Sequence, residues 1–205
     1  MYDPDLFGNP VGEKGRELLE EMNEHHRKLS EWALSLISDI GCERILDIGC
    51  GGGMQISLLA DMFHDAEIYG IDISEDAVMM TQSLNSDIVK EGRCYVSQAS
   101  VSDIPFDDGS FDLVTAFETY FFWPDLENDI KEVVSKVRNN GHLLIVSEAY
   151  PHPDFNELND EASLLYGFTL RSNEDIASML SAYGMNVRVN VIEEKNWVAF
   201  IGSKR

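Results

Sequence analysis

The stretch Ile45-Leu46-Asp47-Ile48-Gly49-Cys50-Gly51-Gly52-Gly53 has the pattern of a short apolar strand that turns sharply into a loop. Glycine occupies four of the five positions 49–53, which an ordinary strand-to-helix turn rarely needs. Glycine tolerates positive φ angles and lets the backbone come close to a ligand. The stretch therefore predicts a ligand-binding turn between a buried strand and a helix that begins near Met54.

The rest of the chain alternates between short apolar stretches and helical patterns. Strands are predicted at 44–48, 67–72, 93–97, 111–117 and 142–148. Such alternation is typical of a parallel sheet with crossover helices. Near the end, 186–193 and 196–203 are joined by only two residues, which permits only an antiparallel pair. We expect an α/β fold, a Rossmann-like doubly wound sheet of seven strands, five of them parallel, with a C-terminal antiparallel hairpin.

Helix signals complete this outline. Apolar residues recur at three- and four-residue intervals over 18–37, and Asn9-Pro10 is a suitable start for that helix. Capping patterns predict helices over 126–139 and 176–183, and 151–160 is predicted to be a connection or a cover over the site. At 205 residues the chain is expected to form one domain. Its parts are an N-terminal helical cap (1–40), a ligand-binding half (41–150), and a C-terminal helix and hairpin (151–205).

Composition excludes several classes of function. The formal net charge is −22, and so acidic a surface repels the phosphate backbone of nucleic acids. No apolar run has the length of a membrane span, and the N-terminus does not resemble a signal peptide. Three cysteines without metal-ligand spacing fit free thiols in a reducing compartment. We expect a cytoplasmic protein with no metal site, no nucleic-acid partner and no membrane contact; monomer and homodimer both stay open.

Three residues outside the glycines narrow the choice of ligand. The dinucleotide fingerprint G-x-G-x-x-G requires glycine where this chain has Met54, and Asp47 disfavours a pyrophosphate nearby. A ligand with an amino group and no phosphate fits better. Asp72 ends the second strand, where a carboxylate can accept hydrogen bonds from both hydroxyls of a ribose.

At this point the sequence resembles the class I S-adenosylmethionine-dependent methyltransferases, in particular the type 11-like group that acts on small molecules. Their first motif, D-x-G-x-G-x-G, is matched by Asp47, Gly49, Gly51 and Gly53. Ile104-Pro105-Phe106 and Ser110-Phe111-Asp112 are similar to the family's later L-P-F and s-F-D motifs. In the same register Ser100 stands where the family often has an acidic residue that receives the adenine. The resemblance implies S-adenosylmethionine as cofactor and S-adenosylhomocysteine as product. The expected cofactor-binding residues are Asp47, Gly49, Cys50, Gly51, Gly53, Asp72, Ile73, Ser100, Val101 and Phe117.

The acceptor side of the site is less determined by sequence. Glu118 follows the fourth strand, and His26 lies on the N-terminal helix, so both are candidate catalytic residues. The predicted substrate pocket consists of Phe7, Met22, Tyr120 and Tyr166. Two alternatives stay open: a module that binds the cofactor without turnover, and a nicotinamide-dependent oxidoreductase, which Met54 and Asp47 disfavour.

Overall fold

The computed structural model describes residues 3–205, and only Met1 and Tyr2 lie outside the described part. Seven strands form one sheet: β1 (Arg44–Ile48), β2 (Glu67–Asp72), β3 (Cys94–Gln98), β4 (Phe111–Phe117), β5 (Val137–Ser147), β6 (Met185–Ile192) and β7 (Trp197–Lys204). Their order across the sheet is β3-β2-β1-β4-β5-β7-β6. The first five strands are parallel, while β7 pairs antiparallel with both β5 and β6. The predicted α/β class and the five-plus-two arrangement are confirmed.

Eight α-helices accompany the sheet in the described residues. They are α1 (Asp5–Gly8), α2 (Gly12–Ser35), α3 (Met54–Met62), α4 (Glu75–Leu84), α5 (Ser86–Lys90), α6 (Leu126–Lys136), α7 (Asn156–Tyr166) and α8 (Asn173–Ala182). Both helices predicted from capping patterns have a side-chain cap: Asp125 Oδ1 accepts from Asn128 N before α6, and Ser172 Oγ accepts from Asp175 N before α8. None of the helices in residues 3–205 has an apolar stretch long enough to cross a bilayer.

Alternate side chains of the strands enter two separate apolar cores, one on each face of the sheet. Leu46 and Ile48 of β1 pack on one face with residues of α6 and α8. Ile45 packs on the other face with residues of α2 and α3. This two-sided burial makes the central strands apolar at nearly every position, as parallel strands require. The polar residue Asp47 shares the face of Ile45, so it lies beneath α2 and α3 at the carboxyl end of β1.

Three local predictions were wrong in detail. The helix predicted over 126–139 ends at Lys136, because Val137 joins the sheet opposite Phe111 and begins β5. The connection predicted at 151–160 contains the first residues of α7, which continues to a left-handed C-cap at Gly167.

The N-terminal helix begins at Gly12, later than the predicted start at Asn9-Pro10. The carbonyl of Pro10 accepts a hydrogen bond from Ser74 Oγ, and Gly12 N donates to Asp76 Oδ2 at 2.6 Å. Since these partners lie more than 60 residues away, the start of α2 is fixed by contacts with the beginning of α4 and not by a local cap.

Candidate active site

A pocket opens at the carboxyl ends of β1, β2 and β4, where the order of the parallel strands reverses between β1 and β4. Ligands of open α/β sheets bind at this reversal. The glycine loop after β1 forms the floor, and α2 covers one side. The topology therefore brings together residues that are up to about a hundred positions apart in the chain.

The glycine loop is held by one side chain of α4, Thr81, and by Asn85 directly after that helix. Thr81 Oγ1 donates to the Gly51 carbonyl at 2.9 Å, and Asn85 Nδ2 donates to the Gly53 carbonyl at 2.9 Å. Gly53 has φ 86°, and a Cβ there would lie 2.8 Å from the backbone Cα of Thr81. Only glycine combines that dihedral with so close a helix. Gly53 supports the loop from behind and does not itself line the pocket.

Asp72 connects the second strand to the loop. Its Oδ2 accepts from Gly51 N at 2.9 Å, and its Oδ1 accepts from Ser74 N at 2.9 Å. A carboxylate has about four acceptor positions, so Asp72 can still accept from a ligand. Burial raises the pKa of Asp72, and the hydrogen bonds from Ser74, Gly51 and Ile73 backbone N–H groups oppose that rise.

Asp47 lies deeper, at the end of β1, and is 1% exposed. Thr115 Oγ1, directly across from it on β4, donates to Asp47 Oδ1 at 2.6 Å. Burial raises the pKa of this carboxyl to about 7; the Thr115 hydrogen bond lowers it and the nearby Asp72 raises it further. Desolvation of a charge with few partners is the reason.

The remaining predicted cofactor residues also line the pocket. They are Gly49, Cys50, Gly51, Ile73, Ser100, Val101 and Phe117. The Cys50 thiol is buried, which together with Asp72 and Asp47 raises its pKa well above the ordinary value. It is thus a neutral packing group and not a nucleophile.

Glu118 is 8% exposed and follows β4 at the rim. Its backbone has φ 56°, a left-handed conformation that is unusual for a non-glycine residue and concentrates at functional sites. Glu118 N donates to the Val146 carbonyl at 3.0 Å, and its Oε1 accepts from Glu148 N. Burial, followed by the charge of Glu148, raises the pKa of Glu118 well above its usual range.

Two adjacent histidines of α2 meet Glu148, just after β5. His25 Nε2 lies 3.0 Å from Glu148 Oε2, and His26 Nε2 lies 3.4 Å from Glu148 Oε1. The His26 side chain is 14% exposed and lines the pocket, whereas that of His25 is 66% exposed. Despite the partial burial of Glu148, its pKa is lowered by its hydrogen bonds and charge interactions with His26 and His25.

Sequence comparisons place the chain among known proteins. A sequence model of a family described as a methyltransferase domain matches residues 46–145. The O-methyltransferase cnsE of Penicillium expansum is 32% identical over 54% of this chain and 40% of its own length. The O-methyltransferase rstn1 of Aspergillus nomiae is 28% identical over 74% of this chain and 68% of its own. The chain thus spans less than half the length of the first relative.

A comparison with solved structures also finds methyltransferases with a similar fold. A solved structure of a SAM-dependent methyltransferase from Aquifex aeolicus superposes with a TM-score of 0.71 over 100% of both chains at 17% identity. Over residues 46–145 the chain is therefore similar to a methyltransferase domain, and its fold is that of the class I S-adenosylmethionine-dependent methyltransferases. Asp47, Gly49 and Gly51 of the glycine motif line one pocket together with the carboxylate Asp72.

The pocket differs from the sequence prediction at two of the residues that were expected to bind the substrate. Phe7 and Met22 line it as expected. Tyr120 does not: its ring is 2% exposed and packs in the core beside Phe121, because the chain enters a 3-10 turn after Glu118. Tyr166 on α7 stacks against Phe7, with ring centroids 4.1 Å apart, and so lies behind the lining residue.

Three polar residues at this pocket were missed by the sequence prediction. Asn23 Nδ2 donates to the Gly52 carbonyl at 3.0 Å, which ties α2 to the glycine loop. Ser30 Oγ and both amide atoms of Gln55 are buried and have no hydrogen-bond partner within residues 3–205. Ser30 and Gln55 line the pocket. His26 and Ser30 are four residues apart, a helical spacing that could have signalled a shared face on α2.

Proposed function

We propose that this chain transfers the methyl group of S-adenosylmethionine to an oxygen atom of a small-molecule acceptor. The observation that carries the proposal is the buried Asp72 carboxylate, which accepts from the Gly51 backbone N–H inside the pocket. A carboxylate that can accept hydrogen bonds from ribose hydroxyls therefore lies beside a glycine loop that lets a ligand come close to the backbone. When bound, the cofactor supplies a methyl group on a positively charged sulfur.

The charge of the pocket supports this cofactor over a dinucleotide. Its lining includes Asp47, Asp72 and Glu118 and has no lysine or arginine among the described residues. A pyrophosphate would find no cationic side chain to pair with in such a lining, whereas the carboxylates can accept hydrogen bonds from an ammonium group. The amide of Gln55 and the hydroxyl of Ser30, which have no partner in the described part of the chain, offer further hydrogen bonds to a polar ligand. The residues present therefore fit S-adenosylmethionine.

Each predicted residue receives a role under this proposal. Asp72 accepts the ribose hydroxyls, and Asp47 faces the amino group of the cofactor. Ser100 and the backbone N–H of Val101 receive the adenine ring, with a serine holding its amine less strongly than a carboxylate would. Residues that provide the close-fitting surface are Gly49, Cys50, Gly51, Ile73 and Phe117, and Gly53 holds the loop against α4.

The acceptor is proposed to lie between the rim of β4 and the helix α2. Phe7 and Met22 supply apolar walls there, and Glu118 and His26 supply the polar groups that contact the acceptor. Positioning and exclusion of water can provide most of the rate of such a displacement. Oxygen as the acceptor atom is supported by the names of two fungal relatives, both O-methyltransferases.

The domain organisation, the cellular location and the class of substrate are also part of the proposal. We infer that residues 1–205 act as one methyltransferase domain in the cytoplasm. The net charge of −22 disfavours nucleic acid as a substrate. A small molecule is the partner that remains.

Two measurements test the cofactor and the activity in turn. Calorimetry with S-adenosylhomocysteine and NAD should show binding of the sulfur compound alone; binding of NAD alone would refute the cofactor assignment. Release of S-adenosylhomocysteine is then measured over a panel of phenols, alcohols, carboxylic acids, amines and thiols. Turnover only with amines or thiols would refute oxygen as the acceptor, and binding without any turnover would favour a non-catalytic module.

Glu118→Gln tests the acceptor side. The amide keeps an oxygen for the hydrogen bond from Glu148 N but loses the acidic group, so we expect turnover to fall by about 100-fold or more. Affinity for S-adenosylhomocysteine should stay unchanged. Glu127→Gln, an exposed substitution on α6, is the matched control. Full turnover in Glu118→Gln would end the proposed role of Glu118.

A further inference from the structure

We propose that His25, His26 and Glu148 bind a divalent transition-metal ion of the Zn²⁺ type at the edge of the methyltransferase pocket. Two imidazoles and one carboxylate form a ligand set that zinc enzymes use, with a further position left for water or substrate. The ring nitrogens also select against Mg²⁺ and Ca²⁺, which prefer oxygen ligands.

The distances between the donor atoms fit such an ion. His25 Nε2 lies 3.0 Å and 3.1 Å from the two Glu148 oxygens, and His26 Nε2 lies 3.4 Å from Oε1. All three ligand atoms lie within 4.8 Å of one another. Around a tetrahedral ion with bonds of about 2.0–2.1 Å, neighbouring ligands are about 3.3 Å apart. Small side-chain rotations therefore suffice to bring the three groups onto one ion.

The scaffold holds the ligands where an ion can arrive and act. His26 and Glu148 are fixed by the packing of α2 beside the end of β5, and the exposed His25 side chain leaves a path from solvent. Two hydrogen bonds of Glu118 hold the backbone at the end of β5. Glu118 Oε1 accepts from Glu148 N, and Glu118 N donates to the Val146 carbonyl.

Charge around the site favours a cation. Glu148 adjoins the buried Glu118, and the pocket beside them carries two further carboxylates, Asp47 and Asp72, without a lining lysine or arginine in residues 3–205. A divalent ion between the histidines and Glu148 offsets part of this negative charge. His26 belongs to both the ligand set and the pocket wall, so the ion lies next to the acceptor.

The consequence for substrate choice rests on the proposed function. A bound transition-metal ion lowers the pKa of a coordinated hydroxyl group and attracts carboxylates. In a pocket that otherwise repels anions, the ion provides the positive group that an acceptor oxygen needs. The acceptor class is therefore one with a hydroxyl or carboxylate oxygen able to coordinate a metal.

The alternative is a hydrogen-bonded cluster in which the histidines simply pair with Glu148. Titration of the chelator-treated, dialysed full-length protein with Co²⁺ separates the two, because Co²⁺ in a site with few ligands absorbs visible light. We expect one Co²⁺ per chain, displaced by Zn²⁺. His25→Ala, His26→Ala and Glu148→Gln should each weaken Co²⁺ affinity by more than about 100-fold, since even outer-shell partners of metal ligands contribute roughly 10–100-fold.

Controls make the outcome independent of the methyltransferase activity. His64→Ala removes an exposed histidine after α3 and should leave Co²⁺ affinity unchanged. Circular dichroism and calorimetry with S-adenosylhomocysteine establish that each variant is folded and retains its pocket. Absence of stoichiometric Co²⁺ binding, or equal Co²⁺ affinity in His25→Ala, Glu148→Gln and the unaltered chain, would overturn the metal site. Failure to bind S-adenosylhomocysteine while Co²⁺ still binds would instead count against the proposed function alone.

Discussion

Replacing Asp47 by asparagine should stabilise the ligand-free chain at alkaline pH while weakening the cofactor site. Burial raises the pKa of this carboxyl from 3.8 to about 7. The folded chain thus holds a proton that the unfolded chain releases. Stability from this group is therefore lost as the pH rises from about 4 to about 7, and does not change further above that.

The size of the effect follows from that shift. Roughly three pKa units at 1.36 kcal/mol each correspond to a loss on the order of 4 kcal/mol in the free energy of unfolding. About 3 kcal/mol of this falls between pH 5 and pH 8.5, a range that avoids the isoelectric point near 4.3. Asparagine has no proton to release, so this pH dependence disappears. An unpartnered amide N–H offsets about 1–3 kcal/mol, which leaves a net gain of about 1–3 kcal/mol at pH 8.5.

Urea unfolding of both proteins at pH 5 and pH 8.5, without ligand, measures the difference directly. Asp129→Asn is the matched control, because Asp129 is also 1% exposed but accepts from Ser102 Oγ at 2.7 Å and Asp125 N at 2.9 Å. Losing a charged acceptor there should destabilise the chain by about 1–3 kcal/mol at pH 8.5. If Asp47→Asn differs from the unaltered chain by the same amount at both pH values, the argument from burial is wrong. S-adenosylhomocysteine affinity should fall about tenfold or more in Asp47→Asn, since a hydrogen bond to a charged group contributes about 1.5–3 kcal/mol.

Two further substitutions test the packing around the pocket. Gly53→Ala and Gly184→Ala both place a side chain at positive φ, 86° and 91°, at about 1–2 kcal/mol each, but only the first brings its Cβ within 2.8 Å of a helix backbone. The free energy of unfolding in urea should therefore fall by about 1–3 kcal/mol more in Gly53→Ala than in Gly184→Ala, and Gly53→Ala should also lose S-adenosylhomocysteine binding. Equal losses of stability in the two variants would contradict the close approach of Gly53 to α4. Asp76→Ala removes the acceptor of Gly12 N and of Arg16 Nη1, both at 2.6 Å, so limited proteolysis near Gly12 should accelerate several-fold. Asp87→Ala on α5 is the control, and equal cleavage in the two variants would show that these bonds do not hold the N-terminus.

The sequence predicted the framework of the sheet because the strands are short, apolar and separated by clear helical patterns. Strands β1, β2 and β4 begin and end where predicted, and β3, β6 and β7 are each shifted by one residue. Local patterns failed where distant contacts decide the structure. Val137 leaves a helical pattern because it pairs with Phe111, and the start of α2 is fixed by Ser74 and Asp76.

The candidate site likewise has some features that follow from local sequence and others that depend on distant contacts. By itself the sequence determined the glycine loop and its two carboxylates, Asp47 and Asp72, because a tight turn and a strand end impose their residues locally. Only the tertiary structure decided that Tyr120 is core, that Gln55 and Ser30 face the pocket without partners among residues 3–205, and that Glu148 meets His25 and His26. Glu148 lies more than 120 positions from those histidines, and no spacing rule spans such a distance. Their meeting depends on how α2 packs across the end of β5, which is a property of the whole core and not of either segment.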